Sequence, residues 1–187
     1  MLITETILHS VFSYTPWEHW LVIGILSFTV LVFLLIRKKY SVYGAICFCL
    51  TVLYGLLLLD TVVLIRWGDG ITHGTGFSLS AEFNLLIYGG VARRIEMLAN
   101  VIIFVPFGFF LSEFLSSLKL FDHWHRTVRV TMTTFGLSLC VESLQLIFHL
   151  GMCEITDLVL NTVGGFVGGG VAVAVRSVVG IFSKMQK

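Results

Sequence analysis

The sequence predicts an all-α protein, a polytopic transmembrane bundle of about five helices. Two observations carry this. Hydrophobic residues make up 57% of the 187 positions and charged residues only 12%, where a soluble domain averages about 25% charged; mean hydropathy is +0.95. Five stretches are also long and apolar enough to cross a bilayer: roughly 18–36, 42–65, 96–116, 129–149 and 155–176. A spanning helix needs about 20 such residues. One membrane domain over 1–187 is expected. The longest connection, about 67–94, has room for a small membrane-surface element at most.

The opening MLITETILHSVFSYTPWEHW is too polar to span, and its Trp17 and Trp20 suit a membrane interface. It lacks a basic start and a small-residue cleavage site, so no cleaved signal peptide is expected. The first span ends at Arg37, Lys38 and Lys39. Basic loops stay in the cytoplasm, which sets the N-terminus outside and the C-terminus inside. Lys119, Arg126, Arg129, Arg176, Lys184 and Lys187 then also fall inside, while Arg66, Arg93 and Arg94 oppose the bias.

The second span carries Asp60 about one and a half turns before Arg66. This reads as an acid snorkelling to the outer interface beside an arginine. The segment FSLSAEFNLLIYGGVARRIEM is too broken by polar residues to span. It lies on the outer face, or dips in and returns. The third span places Glu96 one turn above Asn100, then Pro106 and Gly108. Proline removes a backbone donor, so a kink and a freed carbonyl are expected below Asn100.

The last two spans hold the best functional lead. Glu142, Gln145 and His149 form one stripe on the fourth helix, and Asp157 and Asn161 share a face of the fifth. A charge near a helix centre costs roughly 2.5–3.5 kcal/mol on insertion scales. Residues kept at that cost face a bundle interior or an aqueous cavity. A short turn at 150–153 predicts an antiparallel hairpin. Counting from it sets Glu142 level with Asn161 and Gln145 near Asp157. Glu142 and Asn161 then lie roughly 10–12 Å below the outer turn, with Asn100 near the same depth. Arg93 and Arg94 would stand at the rim with His149. Gly164, Gly165, Gly168 and Gly169 repeat a GxxxG spacing that suits close helix packing. The cysteines Cys47, Cys49, Cys140 and Cys153 have neither disulfide-framework nor zinc-ligand spacing and read as apolar filler.

The run N-x5-P-x-G at Asn100, Pro106 and Gly108, E-x-x-Q at Glu142 and Gln145, and E-I-x-D-x3-N-x2-G at Glu154, Ile155, Asp157, Asn161 and Gly164 resembles the VanZ-like family. The likeness covers about 83–170. Asn84-Leu85-Leu86 and Arg66 resemble weaker family features. Where members often carry an arginine after E-x-x-Q, this chain reads Phe148-His149-Leu150-Gly151, so His149 stands in that place. The resemblance implies a multi-pass protein of the bacterial cytoplasmic membrane with a role in the cell envelope. The family's founding member is associated with resistance to the glycopeptide teicoplanin.

Net charge is +1 and the basic residues are scattered, so no nucleic acid partner is expected. No cofactor or metal is expected either. The expected partners are membrane lipids, with a lipid-linked cell-wall precursor, a glycopeptide or a second copy of the chain as candidates. Three functions remain open. The first is a binding protein with a polar pocket near the outer face, held by Glu142, Gln145, Asp157, Asn161, Asn100 and Glu96. The second is an enzyme acting on a lipid head group, with Glu142 and Asp157 as an acid/base pair or as metal ligands with His149. The third is proton-coupled transport of a lipid or drug. Against all three stands a plain hydrogen-bonded packing network, which bridges membrane helices at a gain of about 0.6 kcal/mol per contact.

Overall fold

A computed structural model describes residues 17–37, 40–60, 74–76, 84, 88, 90–119, 122–148 and 152–185. Five helices lie among them: α1 (Trp17–Arg37), α2 (Val42–Leu59), α3 (Val91–Ser117), α4 (His123–Phe148) and α5 (Ile155–Met185). Each is long and apolar enough to cross a membrane. The five expected spans are therefore present, with longer helices around three of them. α5 has 31 residues, a length of about 46 Å against a hydrocarbon core of about 30 Å. Its surplus turns carry the polar residues that a count of apolar positions leaves out.

Polarity is inverted relative to a soluble bundle. Large apolar side chains such as Ile25, Phe28, Met132, Phe135 and Phe166 are exposed, while Thr51, Glu113, Thr134, Ser138, Glu142 and Asn161 are buried. In water the first set would drive aggregation. In a bilayer those residues meet lipid, and the polar groups find partners within the bundle.

α3 and α5 form the most extensive contact, flanked by α4 on α5 and by α2 on α3. A tight apolar cluster of Leu58, Phe104, Phe107, Leu111 and Val130 fills the space between α2, α3 and α4. The glycine spacing of α5 is used inside this chain. A Cβ on Gly164 would collide with the Val101 carbonyl, one on Gly168 with the Val105 carbonyl, and one on Gly108 with the Gly165 backbone. The absence of side chains lets the α3 and α5 backbones touch. α3 stays helical through Pro106, and Tyr54 Oη donates to the Ile103 carbonyl at 2.9 Å. This bond ties α2 to α3 beside the proline, whereas the carbonyl that Pro106 leaves without its helical donor is that of Ile102, one residue earlier.

Two short strands depart from a purely helical chain. β1 (Gly74–Gly76) pairs in parallel with β2 (Met152–Glu154), Thr75 opposite Cys153. β1 belongs to the connection between α2 and α3, and β2 is the last part of the connection between α4 and α5. Part of the former is thus clamped against the latter. Of the FSLSAEFNLLIYGGVARRIEM segment, which follows β1, the stretch from Val91 onward forms the first turns of α3, and most of 77–90 lies outside the described residues.

The snorkelling reading of Asp60 is overturned. Its side chain is 1% exposed and takes His19 Nδ1 at 2.7 Å. α1 packs on α2 and buries the carboxylate between them, and Arg66 lies outside the described residues. Cys47 is buried and Cys140 exposed, while Cys49 Sγ donates to the Ser27 carbonyl at 3.0 Å.

Candidate functional site

The predicted polar residues gather around the first turns of α5. Asn100 Nδ2, on α3, donates to Asp157 Oδ1 at 2.6 Å. The Glu154 amide donates to Glu142 Oε2, on α4, at 3.1 Å. Asn161 Nδ2 donates to Ser138 Oγ at 2.9 Å. Glu142, Gln145, Glu154, Thr156 and Asn161 are all buried. Three helices therefore contribute side chains to one region. Asp157 sits in the first turn of α5, and Glu142 meets the amide just before that helix starts. Both acids gain from the partial positive charge of a helix N-terminus.

The depth register differs from the expected one. Asn161 pairs with Ser138, a full turn before Glu142 on α4 and so further from the connector. The reason is the connector. A tight turn would bring α5 back from the end of α4, whereas Met152–Glu154 is extended. Three extended residues advance about 10 Å, close to the roughly 9 Å of helix between Glu142 and Phe148. The chain thus returns to the depth of Glu142 before α5 begins. Glu142 caps the connector and Asn161 is carried one turn deeper.

Of the predicted rim, Arg94 is exposed near the start of α3, six residues or about 9 Å of rise from Asn100. Arg93 and Glu96 lie on the same helix, but their side chains fall outside the described residues, as does His149 altogether. Among the described residues no group of three or more His, Cys, Asp or Glu side chains is arranged to hold a metal ion.

Among the described residues, two polar atoms in this region have no hydrogen-bond partner: Thr156 Oγ1 and Asn161 Oδ1, both buried. Ser138, Glu154 and Thr156 received no role in the sequence reading beyond the family motif. Glu154 and Thr156 had one available signal, their position in the E-I-x-D run beside Asp157.

A second charged cluster at the opposite ends of α3 and α5 escaped the sequence reading. Glu113 accepts from Arg176 Nε at 2.8 Å and from Nη2 at 2.5 Å. Tyr43 Oη donates to the same carboxylate, and Arg176 Nη2 also reaches the Glu113 carbonyl at 3.3 Å. Arg126 is buried close by sequence to His123, whose Nδ1 takes its Nη2 at 2.6 Å. Glu113 met the same criterion that singled out Glu142, an acid inside an apolar span. Its partner, however, lies 63 residues away, at a spacing no local pattern reports.

Apolar helices that enclose buried, paired charges at two levels define a multi-pass membrane protein. Comparison with known sequences places the chain more closely. A family model described as VanZ/LLP1 matches residues 53–176, and the chain belongs to that family. It is similar to Protein VanZ of Enterococcus faecium, 36% identical over 87 residues, which is 46% of this chain and 50% of that one. The match thus spans about half the length of that relative. No solved structure matches.

Proposed function

We propose that this protein is a component of the bacterial cell envelope that receives the polar head of a lipid-linked or amphipathic molecule at the first turns of α5. In this reading the chain sits in the cytoplasmic membrane with its N-terminus outside, and the site opens toward the outer leaflet. The positive-inside bias supports that orientation, since nine of the twelve Lys and Arg residues then lie on the inner side. Glu142 and Asp157 contact the head group or handle a proton. Gln145, Asn161 and Asn100 orient them, and the arginines at the start of α3 meet anionic groups.

The observation that carries the proposal is the pair of orphaned atoms. A network built only to join helices satisfies its members, because each buried unpaired polar group costs about 1–3 kcal/mol. Here Thr156 Oγ1 and Asn161 Oδ1 are buried without partners among the described residues, beside two acids on neighbouring helices. A bound head group, or water held for one, supplies what they lack.

The test compares wild type with Glu142→Gln and Asp157→Asn at equal membrane abundance. Teicoplanin susceptibility and the pools of lipid-linked precursors are the readouts, chosen from the association of the family's founding member. Both variants keep side-chain shape and remove charge. The expected result is a change in at least one readout. Two folded variants that match wild type in both would return these acids to helix packing alone.

A further inference from the structure

A separate cavity lies between α1, α2 and α4. It encloses about 400 Å³ and is walled by Val22, Ile23, Leu26, Leu56, Leu59 and Leu144, with Asp60 and His19 as its polar members. That volume falls within the usual range of ligand sites, about 300–1,000 Å³. Leu144 stands about 200° around α4 from Glu142, so the cavity is distinct from the site at the first turns of α5.

Asp60 makes this more than an apolar groove. Its Oδ1 takes His19 Nδ1 at 2.7 Å, and its Oδ2 is buried with no partner among the described residues. A carboxylate oxygen in apolar surroundings calls for a donor, and a positively charged donor satisfies it best. Everything else in the wall matches hydrocarbon. Val22 and Leu26 line the cavity yet are 55% and 51% exposed, on a helix that faces lipid. An occupant therefore enters sideways from the bilayer.

We infer that this cavity binds an amphiphile whose alkyl chain lies against α1 and α2 and whose protonated amine bonds Asp60. Hydrocarbon fills the wall and the ammonium N–H meets Oδ2. His19 holds the other oxygen, which fixes the carboxylate rotamer and keeps Oδ2 directed to the amine.

Dodecylamine and dodecanol are the probes, titrated against the protein in phosphatidylcholine nanodiscs with saturable binding as the readout. The amine is expected to bind at least about tenfold tighter than the alcohol, the worth of one charge-assisted hydrogen bond. Asp60→Asn should bring the two probes level. Leu26→Trp fills the cavity from its exposed edge, where a larger side chain leaves the core untouched, and should abolish saturable binding of both. Equal affinity for the two probes in wild type would overturn the charge match. Unchanged amine affinity in Asp60→Asn, unchanged binding in Leu26→Trp, or no saturable binding by wild type would each overturn the assignment.

Discussion

Replacing Glu113 by glutamine preserves size and removes one charge, and the consequence follows from its surroundings. The carboxylate is 5% exposed and Arg176 is 31% exposed. Arg176 makes two charge-assisted bonds to it and Tyr43 makes a third. In the variant the guanidinium loses its counter-charge, and one carboxylate oxygen becomes an amide nitrogen that cannot accept. Removing one member of a buried pair costs about 3–5 kcal/mol. Arg176 is partly open and can draw water, so the lower end, about 3 kcal/mol, is expected. Arg176→Met alone should cost a similar amount. The double variant should cost roughly 1–2 kcal/mol, because neither charge is then stranded. Reversible unfolding in mixed micelles, followed by tryptophan fluorescence, measures all four states of the cycle. A coupling energy below about 0.5 kcal/mol, the level of an exposed pair, would refute the claim that these charges lock the α3 and α5 ends together.

Two further outcomes are expected. Gly108→Ala drives a methyl into the Gly165 backbone and should lower stability by about 1–3 kcal/mol through overpacking. Gly170→Ala meets nothing within 4 Å and should raise it by up to about 1 kcal/mol, since alanine suits a helix better; unfolding midpoints of the two variants check the contrast. At the start of α4, Asp122 accepts the His125 amide at 2.9 Å and the His125 ring at 2.7 Å, and these bonds hold its carboxyl below the usual aspartate range. A depressed carboxyl stabilises the fold above its unfolded value and loses that contribution as pH falls through the folded one. Protection of the His125 amide from hydrogen exchange should therefore persist at neutral pH and through the ordinary aspartate range, then fall in stronger acid. Asp122→Ala should remove that step.

Much of the candidate site was legible because the bilayer imposes a harsh filter. Glu142, Gln145, Asp157, Asn161 and Asn100 stand out in apolar stretches, since polar atoms there must be enclosed by protein. The same filter would have selected Glu113. Asp60 was noticed but read against its nearest basic neighbour in sequence, Arg66, when its partner is His19 on another helix. That contact is nonlocal because α1 packs on α2. The depth of Asn161 was misjudged for a related reason. A turn and an extended strand of equal residue count move the chain by different distances, and MCE carries no strong signal for either.

By itself the sequence determined that five stretches are long and apolar enough to cross a bilayer and which residues are too polar to face lipid, because insertion energy depends on local composition. Only the tertiary structure decided which of those residues meet. Asn100 with Asp157 and Gly108 with Gly165 share an offset of 57 residues, and Glu113 with Arg176 closes the far end of the same helix pair. That register is set by the fit of glycine backbones and by paired charges across helices separated by a whole span, and neither term is written in any local window of the chain.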